Sequence, residues 1–502
     1  MLLSLPPMHF SRRPWLAIAA VAMASGCTVG PDFRTPDAPQ TDAYTATPMP
    51  GQTVAAEGTG GAAQRFLPGK DLAGEWWALF RSPSLDQLIR QAITDNPTLA
   101  AAAATLREAQ ENYRAQAGEL LYPAVNGNLG ASRERASVAG IGLPGTNIFS
   151  LYNASVSVGY TLDAFGGSRR QLEASQSQVD YQTYQLQAAY LTLTANIVTA
   201  AVKEASLRGQ IAATQEIINA LQQQLDLVEK QFQLGGASKV DVLGQQTQLS
   251  QLRATLPPLQ RDLEQTRHLI AVLAGKFPST PGLPSFELDA IQLPVDLPVS
   301  LPSSLVRQRP DILAAEAQLH TASAQVGVAT ANLYPQITLS GSFGAQSNVI
   351  HDLLSGPSLW SIGAGLLQPI FRGGQLTAQR RAAIAAYDAS AAQYRETVLK
   401  GFQDVADVLR AIEADARALA EQAAAESYAR ATLDLTQKQY RLGAVNYLTL
   451  LVAQRAYTNT RINLVQAQAA RYADTAALFQ ALGGGWWNRP EPAAVGFAET
   501  PQ

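Results

Sequence analysis

Residues 332–344, NLYPQITLSGSFG, and the earlier residues 120–132, LLYPAVNGNLGAS, share a Leu-Tyr-Pro opening followed by alternating residues. In the later copy Ile337, Leu339, Gly341 and Phe343 alternate with Thr338, Ser340 and Ser342, and in the earlier one Val125, Gly127 and Leu129 alternate with polar neighbours. A period of two predicts a strand with one apolar face. A second alternating run follows each copy: Ala154, Val156, Val158, Tyr160 and Leu162 in the first, and the glycine-rich LWSIGAGLLQPIF in the second. Each copy therefore predicts one hairpin, with strands of about ten residues.

The repetition extends well beyond the hairpins. Tyr122 and Tyr334 lie 212 positions apart, Pro97 and Pro310 213, and Lys230 and Lys438 208. In EKQFQLGGASKVDVLGQQTQ and QKQYRLGAVNYLTLLVAQRA, Lys230, Gln231, Leu234, Gly235, Leu243 and Gln246 match Lys438, Gln439, Leu442, Gly443, Leu451 and Gln454. The chain is a tandem duplication with a unit of about 210 residues, too long for a solenoid repeat of about 20 to 50. The reading divides it into a leader at 1–26, an extended segment at 27–84, a first repeat at 85–275, a linker at 276–304, a second repeat at 305–485 and a tail at 486–502.

After each hairpin the pattern changes. No proline occurs from 168 to 256 or from 370 to 489, although the chain of 502 residues holds 28. These stretches are loaded with strong helix formers. Ile211, Ile218, Leu225 and Phe232 fall seven apart, with Leu221 and Val228 between them, which is a heptad seam for helices packed side by side. Turns are expected near Arg208-Gly209 and from Glu413 to Ala416, folding each run into an antiparallel pair that reaches roughly 60 Å. Residues 35–69 carry no periodic apolar pattern and read as a linker or a surface-wrapping segment.

Charged residues make up only 15% of the chain, net charge is -3, and the basic residues do not cluster, so a nucleic-acid partner is excluded. The N-terminus has Arg12 and Arg13, a short apolar run and then Ala24-Ser25-Gly26-Cys27. That run is shorter than the roughly 20 residues of a membrane span. The order is that of a signal peptide ending in a bacterial lipobox, with Cys27, the only cysteine, as the lipid-bearing N-terminus. An ordinary signal peptide with a stray thiol is the alternative.

A four-stranded sheet with an apolar face cannot stand open in lipid, because its unpaired edges are too costly there. Closure by several chains answers this: two chains fill their lumen with side chains, whereas three give twelve strands and an open passage. A soluble sandwich hairpin is the competing reading.

The segments CTVGPDFRTP, EWWALFRSPSLDQLI, the doubled LYP, RQRPDILAAEAQL, FRGGQLTAQ, YRLGAVNYLTLLVAQR and ALGGGW together resemble the outer-membrane efflux channel family, the TolC-like outer membrane factors of the NodT lipoprotein branch. The resemblance implies a mainly α fold with a membrane β-barrel: four strands per chain, a homotrimeric twelve-stranded barrel and a long helical tunnel. It further implies an outer-membrane location, docking to a periplasmic adaptor and an inner-membrane pump of the resistance-nodulation-division type, and export of small molecules. No cofactor or metal is implied.

By local match to TVLKGFQDVADVL the family's acidic gate ring is carried to Asp407, with Asp404 second and Arg410 beside them. In a trimer such a ring is a cation-selective constriction. The alternative is that Asp407 pairs with Arg410 on a solvated helix face. With turns at the positions given above, the docking tips are Lys203, Glu204, Arg208, Gly209, Glu413 and Asp415. The glycine breaks at Gly235-Gly236 and Gly443 read as packing adjustments, and the pairs Trp76-Trp77 and Trp486-Trp487 as internal packing rather than membrane anchors.

Three other functions compete with this reading. His9, His268, His320 and His351 are scattered, and no metal spacing, nucleophile motif or phosphate loop appears, which argues against an enzyme. A periplasmic adaptor lipoprotein lacks two helical hairpins and four strands in tandem. A type I protein-secretion channel keeps the fold and changes the cargo.

Overall fold

A computed structural model describes residues 28–137, 146–353 and 355–489. The leader, Cys27 and the tail beyond 489 lie outside the described residues. The chain forms two compact units.

The first unit is built from Thr105–Gln182 and Ala315–Tyr394 with the N-terminal segment up to Thr35. It holds β2 (Ala124–Ser137), β3 (Thr146–Leu162), β5 (Gln336–Ser347) and β6 (Ser358–Leu367), in the order β2-β3-β5-β6. All pairings are antiparallel, so the second strand of the first hairpin pairs with the first strand of the second. The first hairpin's strands, at 14 and 17 residues, exceed the expected ten.

The register sorts the side chains into two faces, because residues directly opposite in an antiparallel pair point the same way. Val125, Val158, Gly341 and Ile362 form one row across the sheet, and Gly127, Val156, Phe343 and Trp360 the next. Asn126, Ser157, Ser342 and Ser361 form a row on the opposite face, where Ser342 and Ser361 share a hydrogen bond of 2.8 Å. Ile362 is 84% and Trp360 72% exposed in the single chain. On the apolar face the band runs from the Leu162 row, which continues through Ile337 and Leu366, to the Tyr152 row, and Arg133 and Arg135 follow it on the same side of β2. Ten residue steps of about 3.4 Å, tilted by about 40°, give a height near 26 Å, the scale of a membrane barrel's apolar belt.

The second unit comprises Pro36–Ala104, Thr183–Ala314 and Arg395–Gln502. Its short helices include α1 (Pro83–Asp95), followed by α2 (Pro97–Leu121), which continues into the first unit. The long helix α3 (Gly167–Gln233) is followed by α4 (Lys239–Arg253) and α5 (Leu256–Leu273). In the second repeat the single turn α6 (Pro302–Leu305) and α7 (Pro310–Ala331) precede the long α8 (Gln375–Arg441) and α9 (Tyr447–Ala481). The core gathers Trp76, Trp77, Phe80, Leu85 and Ile89 against Ile197, Val198, Val405, Leu409 and Phe479. Trp76 and Trp77 are 1% exposed, and Trp486 Nε1 donates to Gln308 O at 2.7 Å, so both Trp pairs are packing and not membrane anchors.

Segments read as linkers are built into this unit. The strand β1 (Arg65–Pro68) pairs in parallel with β4 (Asp296–Val299), joining the N-terminal segment to the connection between repeats. Buried Gln64 donates to Pro294 O and Thr475 Oγ1 at 2.9 and 2.8 Å.

The two faces of the sheet should respond differently to charge. Ile362→Arg, mid-band on the apolar face, should cost about 2–4 kcal/mol and deplete heat-resistant oligomer in the outer-membrane fraction, whereas Ser361→Arg on the other face should leave it intact. Equal depletion would contradict the facial assignment.

Candidate functional site

The long helices do not turn where the heptad reading expects. α3 runs unbroken through Arg208-Gly209, and α8 through Glu413 to Ala416. The chain reverses instead at 234–238 and 442–446. Each reversal is a glycine-ended helix cap followed by a side-chain N-cap. Gly235 has φ +80°, with its N–H bonded to Phe232 O at 3.0 Å and the Gly236 N–H to Gln231 O at 2.7 Å. Gly443 has φ +73°, with its N–H bonded to Tyr440 O at 3.0 Å and the Ala444 N–H to Gln439 O at 2.9 Å. Both are Schellman motifs, which satisfy the last carbonyls of a helix and need a left-handed residue.

The next helices start on caps 208 positions apart. Ser238 Oγ accepts from the Asp241 N–H at 3.2 Å, and the Ser238 N–H donates to Asp241 Oδ2 at 2.9 Å, a capping box. Asn446 Oδ1 accepts from the Thr449 N–H at 3.0 Å. Leu234 and Leu442 stand 88% and 84% exposed at the reversals. Behind them a small core joins Ile218, Leu221, Leu225 and Val228 of α3 to Val242 and Leu249 of α4 and Tyr447 and Leu450 of α9. The buried Gln245 amide donates to Leu221 O at 2.9 Å and its carbonyl accepts from Tyr447 Oη, so the arms of the two repeats are tied at this level.

The residues expected at the tips are therefore mid-helix. Glu204 has a side chain 1% exposed and is bound by Arg208 Nε at 2.9 Å. Burial pushes its carboxyl up from the ordinary range, against the pull of Arg208. A Cβ on Gly209 would stand 3.0 Å from Val465 Cγ1, so this glycine lets α3 and α9 approach closely. Lys203 is exposed on the side of α3. Glu413 accepts from Arg410 at 2.8 Å, and Asp415 faces Asp474 of α9.

Asp404, Asp407 and Arg410 also lie away from the reversals. Leu442 lies 38 positions after Asp404, about 57 Å along the helix. Asp404 Oδ2 accepts from Arg309 at 2.8 Å. Arg309 also holds Asp311 at 2.7 Å and donates to Ala481 O, a carbonyl at the C-terminus of α9, at 3.0 Å. Asp407 accepts a long bond from Gln403 Nε2, at 3.3 Å. Arg410 does not pair with Asp407: it holds Glu413 and donates to Thr47 O and to Thr45 Oγ1, fastening the N-terminal segment.

Sequence reading missed Arg309, Arg471 and Asp474. Arg309 stands in the quoted RQRPDIL motif just before a helix-opening proline. Arg471, 1% exposed, donates to Gly60 O at 3.0 Å, Thr53 Oγ1 at 3.2 Å and Gln64 Oε1 at 2.7 Å. Burial lowers its pKa. One helical turn away, burial and the facing Asp415 carboxylate push Asp474 up to about 7.

The sequence profile of outer membrane efflux proteins matches residues 88–276 and 301–484, and the chain belongs to this family. The pyoverdine export outer membrane protein OpmQ of Pseudomonas aeruginosa is 31% identical over 418 residues, covering 82% of this chain and 87% of that one. The toluene efflux pump outer membrane protein TtgC of Pseudomonas putida is 30% identical over 490 residues, covering 94% and 96%. The outer-membrane channel OprN superposes with a TM-score of 0.82 at 30% identity, over 92% of this chain and all of the other. The protein is thus an outer-membrane efflux channel, a conduit rather than an enzyme, and its four strands are one third of a homotrimeric twelve-stranded barrel. Its homologues are outer-membrane components of tripartite efflux systems, which implies an adaptor and an inner-membrane pump as partners.

The Asp415–Asp474 pair makes stability depend on pH. Because the folded pKa of Asp474 is raised from 3.8 to about 7, the folded state binds the extra proton. Its contribution is complete below pH 4 and is lost as pH rises toward 7. Asp474→Asn should flatten the pH dependence of the thermal midpoint across that window, and an unchanged slope would contradict the shared proton.

Proposed function

We propose that this channel expels small molecules drawn from an inner-membrane pump of the resistance-nodulation-division type, and that it docks the adaptor through the two chain reversals at 234–238 and 442–446. The observation that carries this reading is the pair of exposed Leu-Gly turns, alike in cap geometry and placed by both repeats at the ends of the longest helices. In a trimer they make six similar tips. Exposed leucines on capped, rigid turns suit an apolar partner groove, because little conformational freedom is lost on docking. The cargoes in the relatives' names, pyoverdine and toluene, differ widely, which fits selection by the pump rather than by the conduit. The lipid anchor, typical of the family, is assigned to Cys27.

The gate is reassigned with the tips. Val240 on α4 and Leu448 on α9 occupy the same place in the two repeats and are 76% and 64% exposed, and Val452 follows Leu448 by one turn at 61%. Three copies brought together at this level present a ring of apolar side chains, which closes a passage by excluding water. Asp404 is instead engaged by Arg309.

Two measurements separate these roles. In planar bilayers Leu448→Ser should raise the conductance of the purified trimer several-fold while Asp404→Ala leaves it unchanged, and the reverse order would restore the acidic gate. In cells, Leu234→Asp combined with Leu442→Asp should abolish efflux-dependent resistance at normal trimer levels, and full resistance would move the docking surface elsewhere.

A further inference from the structure

Residues 28–35, directly after Cys27, lie in a seat shaped for them on the first unit. The Val29 N–H donates to Phe165 O at 3.1 Å. Gly30, at φ +95°, approaches α7 so closely that a Cβ on it would stand 2.5 Å from the Cα of Gly327. A Cβ on Gly166 would stand 2.6 Å from Thr28 Cγ2. Arg170, with a side chain 5% exposed, binds Glu173 at 2.7 Å and the Asp32 carboxylate. Phe33 stacks on His320 with ring centroids 4.2 Å apart, and Thr35 Oγ1 donates to Glu316 at 2.7 Å. Contacts of this density fix the position of Thr28, to which Cys27 is covalently joined.

A cavity of about 200 Å³ opens beside that point, where β3 passes into α3 and α7 into β5. Phe165, which receives the Val29 bond, is part of its wall, as are Val328, Ala331 and Pro335. Gln171 and Asn332 add amide groups among these apolar surfaces. The wall thus combines hydrogen-bond donors with apolar surface, the chemistry of a glyceryl ester and its first methylenes. Its volume is too small for a whole acyl chain.

We propose that this cavity receives the glyceryl ester and the first methylenes of the lipid borne by Cys27, the rest of each acyl chain continuing into the bilayer. The proposal rests on the assignment of lipidation to Cys27. On this account the seat for 28–35 aims the lipid at one place at the foot of the strands, and the anchor is a fixed part of the channel rather than a loose tether.

The test feeds cells a palmitate analogue carrying a diazirine near its carboxyl end, irradiates them and maps cross-links in the purified full-length trimer by mass spectrometry. The expected result is a lipidated N-terminal peptide cross-linked to 165–171 or 328–335 of the same chain. Ala331→Trp, and independently the milder Ala331→Met, should reduce that yield at least tenfold and about threefold, with lipidation and trimer unchanged. An N-terminal peptide without lipid would overturn the lipidation reading and the proposal with it. A lipidated peptide whose cross-links avoid these segments, or are insensitive to both variants, overturns the proposal alone. Cross-links to the same segments in Cys27→Ser protein would assign the cavity to a bilayer phospholipid instead, and also overturn it.

Discussion

Most of this structure follows from the two unpaired edges of a four-stranded sheet. β2 and β6 each present a row of backbone N–H and C=O groups with no strand partner among the described residues of their own chain. In water such edges would be a liability, and in hydrocarbon each unsatisfied group costs several kcal/mol. The apolar rows through Val158, Ile362 and Trp360 commit one face to lipid, so the edges must be closed by other copies. Twelve strands then leave an open lumen lined by Ser, Asn and small residues, and a lumen of that kind imposes little chemical selection on what passes.

The helices answer a different constraint. Two long helices per chain are continuous, and although their residues favour helix, most of their stability comes from packing along a seam. The two repeats solve the problem of reversing direction in the same way, with a left-handed glycine and a side-chain cap about three residues later. Because Gly235 and Gly443 share this geometry, both repeats end in the same exposed leucine, and a trimer of duplicated chains offers six nearly equivalent tips.

Much of this was legible in the sequence. The doubled Leu-Tyr-Pro runs gave both hairpins, and the loss of proline gave both long helices. The reversals do not fall near Arg208-Gly209, because the missing side chain of Gly209 serves close contact with Val465 inside a continuous helix. The signals for the true turns were present in LGGAS and LGAVN, as glycine followed by Ser238 or Asn446, but a heptad seam carries no information about where a helix folds back. The charged residues were the least legible. Asp404 looked like a pore carboxylate and is held by Arg309, 95 positions earlier, and Arg410 turned to Glu413 and the N-terminal segment rather than to Asp407. Such pairings depend on which helices become neighbours, which local spacing cannot specify.

The central claim is that β2 and β6 pair between copies to close the barrel. Amide hydrogen exchange on the purified assembly in detergent, read strand by strand, tests it most directly. The account predicts that β2 and β6 amides aimed away from β3 and β5 exchange as slowly as those between β3 and β5. Fast exchange along either outer strand, with β3 and β5 protected, would show an open sheet and contradict closure by three chains.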